Sequence, residues 1–470
     1  MQKKTKIVAT ISNLKCDVDF LRELYDAGMN VVRLNTAHMT TDDAQKVIDN
    51  VRAVSENLAI MVDTKGPEIR TVAMDEGLPV IAGDLIDVRG DASGTSKPGL
   101  LCVSYNDLAA DVPVGSQLLI DDGDIALAVT GKTDTTLHCT VENDGTIKGR
   151  KSINIPDVTI NLPALTEKDI AFVKYSAEQD VDFIAHSFVR KKEDVQAVQE
   201  ILDAMDSDVK IIAKIENQEG LDNIDEILDH AFGAMIARGD LAIEIPAERI
   251  PLIQKRLVKK CVEKRKPVII ATQMLHSMIH APRPTRAEVS DVGNACLDGT
   301  DAIMLSGETA NGKYPVEAVQ TMARIALEVE ESRSTFNDTP YTPESITTDY
   351  LTKAAVKAAL RLPTKAIVAD TLTGRTIRGL AAYRGENPIY AQCYSKRVMR
   401  ELALSFGVLG SYMKLNQTTN EFLHEALTRL LSRGSFSQED LIVVLAGHFG
   451  AANGASFVEI STAQNLLSRG

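Results

Sequence analysis

Along the first two-thirds of the chain, short apolar runs alternate with longer stretches whose apolar positions recur at helical spacing. The runs are Lys6–Ile11, Asn30–Asn35, Ala59–Thr64, Asp182–Val189, Val209–Glu216, Gly233–Asp240, Pro267–Met274 and Asp301–Ser306. They are β-branched, nearly continuous and bounded by polar or glycine residues, as strands buried on both faces of a parallel sheet are. Eight such strands alternating with helices predict an α/β fold, a (β/α)8 TIM barrel. On pattern alone, a doubly wound open sheet stays open as an alternative.

The alternation breaks after the third strand. From about Pro67 to Pro163 the chain reads as all-β, with runs such as Gln117–Ile120, Ile125–Thr130 and Leu137–Val141. Asp121-Asp122-Gly123 and Asn143-Asp144-Gly145 punctuate them as hairpin turns do. The stretch is too long for a loop, so an inserted small β-barrel domain is expected. It leaves from the C-terminal end of a barrel strand, where barrel enzymes keep their active sites, which makes it a candidate lid. After helix Val316–Ser332 and a polar connector, Ser334–Thr348, a third unit follows. It is expected to hold helix Thr352–Leu362, strand Lys365–Asp370, helix Thr376–Arg384, a strand near Pro388–Cys393 and a final strand Leu441–Ala446. The organisation predicted is a barrel from residues 1–67 and 164–335, a β lid at 68–163, and a C-terminal α/β regulatory domain at 346–470.

Charge changes the picture. The chain carries 65 acidic against 51 basic residues, a formal net charge of -14. An acidic surface repels nucleic acid and anionic membranes, so neither is an expected partner. Any anionic substrate must then be held by local cations or metal ions. The six cysteines lie far apart with no Cys-x-x-Cys pair, which argues against a zinc site or a disulfide framework. No apolar run approaches the roughly 18–20 residues that span a bilayer. The N-terminus passes from Met1-Gln2-Lys3-Lys4 directly into Ile7-Val8-Ala9, too short for a signal peptide. A cytoplasmic protein is predicted.

Candidate chemistry gathers at strand ends. In the fifth run, Lys210, Ile212, Lys214 and Glu216 share one face by the period-two rule. A lumen-facing Lys214 and Glu216 would project together at the barrel mouth, where a cation beside a carboxylate can hold a phosphate and a metal. A structural ion pair is an equal alternative for that tripeptide. The sixth run ends Ala237-Arg238-Gly239-Asp240, placing a second carboxylate on the rim, and two carboxylates with water and substrate oxygens suit octahedral Mg²⁺. Gly239 permits close backbone approach, so its amide can meet an anion; a plain Gly-Asp turn is the commoner meaning of such a pair. Arg33, Asn35, Asp63 and Thr272 complete the rim, although each alone could be a polar strand end meeting water.

Taken together, the local strings resemble the pyruvate kinase family. Asp63-Thr64-Lys65-Gly66-Pro67-Glu68-Ile69-Arg70-Thr71 resembles that family's passage into its lid, and Lys214-Ile215-Glu216-Asn217-Gln218-Glu219-Gly220 its catalytic lysine motif. Ala237–Leu241, Ala271–Leu275, Pro282–Glu288 and Leu305–Ala310 are similar to four further signatures. The resemblance implies phosphoryl transfer between phosphoenolpyruvate and ADP, giving pyruvate and ATP, the last step of glycolysis. It implies that Lys214 stabilises the transferring group and the enolate, and that Glu216 and Asp240 bind Mg²⁺. Gly239, Asp240 and Thr272 would receive substrate, with Thr272 helping to deliver a proton through water. Arg33 would contact the phosphate, while Asn35, His38, Arg70 and Lys151 lie where nucleotide phosphates are expected. Such chemistry needs positioning and charge neutralisation more than covalent catalysis.

The resemblance also implies a K⁺ site from Asn35, Asp63 and Thr64, near Glu68. Where the family usually carries Asn-Phe-Ser-His-Gly, this chain reads Asn35-Thr36-Ala37-His38-Met39, so the serine ligand is absent and a weakened K⁺ site is expected. In the third unit, Thr371, Thr373, Gly374, Arg375 and Thr376 precede a helix and form a candidate cradle for a sugar-phosphate effector, with an ordinary N-cap turn as the alternative. The partner loop Gly447–Gly454 lacks an arginine or lysine. A homotetramer is implied by resemblance alone. A different phosphoenolpyruvate- or pyruvate-handling barrel would not explain the insertion, and a silent sensor subunit should have lost Lys214, Glu216, Asp240 or Thr272.

Overall fold

The computed structural model describes residues 3–332, 337–340, 346–415, 418–447 and 454–468. Eight parallel strands close into a barrel in chain order: Lys6–Thr10, Val31–Asn35, Ala59–Asp63, Phe183–His186, Lys210–Ile215, Gly233–Ala237, Val268–Ala271 and Ala302–Leu305. Closure comes from the first strand pairing with the eighth, Ile7 against Ile303 and Val8 against Met304. The open-sheet alternative is thereby excluded. Side chains alternate along each strand. Val8, Met61, Phe183, Ile212, Met235 and Ile269 fill the lumen, while Ile7, Ile60, Ile184, Ile211, Ile236 and Ile270 pack outward against the helices.

The helices start and stop where local chemistry dictates. Thr285 and Glu288 form a reciprocal capping box at the start of Arg286–Asp298, which ends on Gly299 at φ 86°. Thr166 and Asp169 do the same for Glu167–Glu178. Asp169 has a second task described below.

Several apolar runs extend beyond their strands. The run Asp182–Val189 is a strand only to His186, and the chain then turns with Phe188 at φ 55°. The run to Asp240 is a strand only to Ala237, and Asp240 sits in the first turn of helix Arg238–Glu244 rather than on a strand end. The run to Met274 is a strand only to Ala271, followed by Thr272 at φ 70° and Gln273 at φ 53°. Buried residues recur in these loops at Ser187, Val189 and Met274, so a buried position there carries no sign that pairing has stopped.

The insertion forms a seven-stranded sheet between Ile69 and Asn154 with its own core, including Val88, Leu101, Leu118, Leu127 and Leu137. A bridge from Thr71 to Val103 brings its outer strands together, supported by Ser104 N donating to Arg70 O at 2.8 Å. The sheet is thus barrel-like. A separate two-stranded antiparallel sheet pairs Leu78–Val80 with Gly145–Ile147.

The third unit is a five-stranded sheet in the order Val408–Tyr412, Ile389–Cys393, Thr364–Thr371, Leu441–Ala446, Phe457–Thr462. Two of these strands escape the sequence pattern, and Leu441–Ala446 is not the last. Both missed strands are edges with half-buried, mixed polar sequences, so neither shows a buried run. The preceding helix begins at Ile346, earlier than its periodicity indicates. Most of the connector 334–348 and of the loop 447–454 lies outside the described residues.

This sheet's domain seats on the N-terminal ends of the barrel strands. Leu404 packs within the lumen cluster. Around it, Arg384 pairs with Asp301 at 2.7 Å, Arg400 with Asp182 at 2.5 Å, and Lys6 Nζ donates to Val408 O at 2.6 Å. No helix among the described residues is long and apolar enough to cross a membrane.

Candidate active site

At the opposite end of the barrel, the third, fourth and fifth strands deliver Asp63, Ser187 and Lys214 to one buried point. Lys214 Nζ lies 3.1 Å from Asp63 Oδ1, 2.9 Å from Glu216 Oε1 and 2.7 Å from Ser187 Oγ. From the second strand, Arg33 Nε reaches the other oxygen of Asp63 at 2.6 Å, and its Nη1 donates to Thr10 Oγ1 at 2.9 Å. Burial opposes the charge on Asp63, yet Arg33 and Lys214 hold its carboxyl below the usual range. Burial likewise opposes the charge on Lys214, but Asp63 and Glu216 outweigh it and hold the ammonium on.

Glu216 is held by a backbone donor, Phe188 N at 2.7 Å from Oε2. Burial pushes its carboxyl up to about 7 despite Lys214. Burial also lifts Asp240, with the nearby charges of Asp122 and Glu68 adding to the effect. Two neighbouring carboxylates that resist ionisation are under-supplied with positive charge, which is the environment a hard divalent cation relieves. Among the described residues no group of three or more His, Cys, Asp or Glu is arranged to hold a metal. A cation here would therefore need its remaining ligands from water or substrate.

Beside the carboxylates, Gly239 N donates to Thr272 Oγ1 at 2.7 Å. A Cβ on Gly239 would lie 3.3 Å from that oxygen, so the glycine keeps the approach open. Arg238 fixes the left-handed Thr272 by donating to its carbonyl at 3.0 Å while pairing with Asp291.

Between this rim and the inserted domain, the candidate lid, lies a cavity of about 670 Å³. Glu216 and Asp240 form one wall, and the lid contributes Arg70, Lys151, Asp121 and Asp122 to the other. The two lid cations are engaged within the lid, Arg70 with Glu68 at 2.6 Å and Lys151 with Asp121 at 2.8 Å. Asn35 and His38 lie outside this lining, as do Arg33, Asp63, Lys214, Gly239 and Thr272. Asn35 Oδ1 accepts from Ala37 N at 3.2 Å, and His38 is exposed at the end of a short 3-10 turn. Thr36 Oγ1 donates to Asp63 O at 2.9 Å, and Ser187 Oγ donates to Thr64 O at 2.7 Å. Nothing in the sequence singles out Thr10, Ser187 or the Phe188 amide: a lone hydroxyl near a strand end is ordinary, and a backbone donor leaves no residue signal.

In the third unit Thr371 Oγ1 accepts from Gly374 N at 2.8 Å, Gly374 has φ 78°, and helix Arg375–Ala382 follows. Thr373, Arg375 and Thr376 flank that turn. The facing loop is described only at Gly447 and Gly454.

A buried lysine and arginine around one carboxylate, two charge-starved acids and an inserted domain beside the mouth define a (β/α)8-barrel enzyme that handles anionic oxygens with cations. Comparison with known proteins makes the class specific. Residues 2–319 match the model of the pyruvate kinase barrel domain, and residues 349–461 match that of the pyruvate kinase alpha/beta domain. The chain is 47% identical to a pyruvate kinase of Borreliella burgdorferi over 473 residues, covering 99% of both. It is 44% identical to those of Bacillus licheniformis and Geobacillus stearothermophilus, spanning 100% of this chain and 82% of each relative. The chain belongs to the pyruvate kinase family. It is a phosphotransferase that moves a phosphoryl group from phosphoenolpyruvate to ADP, giving pyruvate and ATP.

Proposed function

We propose that phosphoenolpyruvate and ADP meet in the cavity between barrel and lid, and that Lys214 carries the charge of the transferring phosphoryl group. The observation behind this is the Lys214 ammonium, buried at the mouth and kept charged by Asp63 and Glu216. A fixed cation in a site poor in water stabilises developing negative charge without reorganising.

The family depends in general on a divalent metal and a monovalent cation. Glu216 and Asp240 would hold the divalent ion, taken as Mg²⁺, which supplies charge neutralisation between substrate oxygens. Arg33, braced by Asp63 and Thr10, orients the phosphate from the barrel side. The Gly239 amide, Asp240 and Thr272 receive the substrate's phosphate and carboxylate, and the Thr272 hydroxyl directs a water-borne proton to the enolate carbon. Arg70 and Lys151 on the lid, with Asn35 and His38 on the second-strand loop, receive the ADP phosphates. For Arg70 and Lys151 this requires exchange of their carboxylate partners for phosphate as the lid closes. Asn35, Asp63 and Thr64 are assigned to the K⁺ site, with one ligand fewer for Ala37.

Thr371, Thr373, Gly374, Arg375 and Thr376 are assigned to a sugar-phosphate effector. A homotetramer in the cytoplasm completes the proposal. The direct test is pyruvate release from phosphoenolpyruvate and ADP with Mg²⁺, with and without K⁺ and a panel of sugar phosphates. Turnover that persists after chelation of divalent ions would overturn the assignment of Glu216 and Asp240.

A further inference from the structure

The lid is joined to the barrel by two strands of chain, and both end on the same turn. The outgoing strand passes Lys65 and Gly66, whose amides donate to Asp169 Oδ1 at 3.0 and 3.3 Å. Gly66, at φ 72°, lies flat on this turn, for a Cβ there would come within 2.8 Å of both Ser187 and Phe188. The returning strand is gripped by Arg190. Its Nη1 donates to Ile160 O at 3.0 Å and its Nη2 to Leu162 O at 2.9 Å. Asp194, in the first turn of helix Lys192–Ala204, orients the guanidinium by accepting from Arg190 N at 2.9 Å and from Nε at 3.3 Å. The carbonyl of Arg190 in turn accepts from Asn223 Nδ2 at 3.0 Å.

Two residues before Arg190, the amide of Phe188 holds Glu216 Oε2. Phe188 is left-handed, so its N–H direction depends on a backbone that its neighbours must hold in place. The seat of the lid and the support of the metal-facing carboxylate are therefore one four-residue turn.

We propose that Arg190 is a positioning residue that couples the lid's return strand to the orientation of Glu216. It touches no reacting atom. By fixing Ile160 and Leu162 to the Ser187–Arg190 turn, it makes lid placement and the Phe188–Glu216 hydrogen bond interdependent. A planar fork holds two carbonyls and Asp194 in one fixed geometry, which the compact ammonium of a lysine does not reproduce. This rests on the assignment of Glu216 as a metal ligand.

The test uses Mn²⁺ as the probe ion on the full chain, without substrates, read by electron paramagnetic resonance, together with amide hydrogen exchange across residues 158–163. Arg190→Ala should speed exchange in that segment and weaken Mn²⁺ binding by about 10-fold, the scale seen when an outer support of a metal ligand is lost. Arg190→Lys should fall between, and serves should the alanine variant fail to fold. Faster exchange with unchanged Mn²⁺ affinity would reduce Arg190 to a fastener of the linker and overturn the coupling, as would unchanged exchange. Glu216→Gln is measured alongside. If it too leaves Mn²⁺ binding unchanged, the metal assignment has failed; if it alone weakens binding, only the coupling has.

Discussion

Lys214 and Asp63, two strands apart around the barrel, form a buried ion pair at 3.1 Å, and Ser187, just past the end of the strand between them, bonds both. Asp63 is thus the anchor that aims Lys214 into the mouth. Lys214→Met should keep the fold and lower kcat by at least about 10²–10³, the usual loss when one transition-state donor is removed. Steady-state rates with a circular dichroism check decide it. Near-normal turnover would remove Lys214 from its proposed role.

Glu216→Gln and Asp240→Asn each subtract an anionic oxygen from a hard cation. Both should raise the Mg²⁺ concentration for half-maximal rate while leaving unfolding little changed. Titrations that overlay the parent for both variants would place the metal elsewhere.

Ala37 offers a gain rather than a loss. Thr36, the nearest hydroxyl, already donates to Asp63 O. Ala37→Ser should therefore lower the K⁺ half-saturation, by about fivefold if one oxygen contributes about 1 kcal/mol. The parent should still respond to K⁺ at constant ionic strength. A parent already at full rate without any monovalent cation would show that no such site exists.

His186 carries a pH signature in stability. Its ring is fully buried and neither nitrogen has a hydrogen-bond partner. Burial pushes its pKa down to about 4, against the pull of Asp194 and Asp169. The unfolded ring titrates near 6.5, so between these values the unfolded state binds more protons. Its contribution is complete above about pH 6.5 and fades towards pH 4, by roughly 3 kcal/mol at most. Urea midpoints at pH 7, 6 and 5 should fall more steeply for the parent than for His186→Gln. Parallel slopes would mean that the ring is not kept neutral.

The Arg384–Asp301 pair joins barrel and C-terminal domain at 2.7 Å with both side chains buried. Asp301 also accepts from Phe406 N at 3.0 Å, so removing the cation strands a buried charge. Arg384→Met should destabilise by about 3–5 kcal/mol. Double substitution with Asp301→Asn should recover part of that. Additive losses would contradict direct pairing.

Much of this architecture is legible in the residues because the barrel strands are buried on both faces. Ile60, Ile211 and Ile270 have no alternative to a continuous apolar run, so they announce themselves. Val408–Tyr412 and Phe457–Thr462 do not, since an edge strand can be half polar and still pair. The site divides in the same way. Lys214 and Glu216 stand out because charges are uncommon on one face of an otherwise apolar run, whereas Ser187 and the Phe188 amide acquire meaning only once the fold sets them against Lys214 and Glu216. The apolar runs outlast the strands for a related reason. A buried loop such as Ser187–Val189 has the composition of a strand without its pairing.

The placement of Leu404 has a consequence for how this enzyme can be taken apart. A residue from the C-terminal domain stoppers the barrel beside Phe183, Phe232 and Met61. Chain that is translated first must therefore wait, with an open-bottomed and oily tube, until more than four hundred residues have emerged. Truncations that end near Ser332 should accumulate as aggregates, and only supplying the missing segment, in trans or by fusion, should seal the tube.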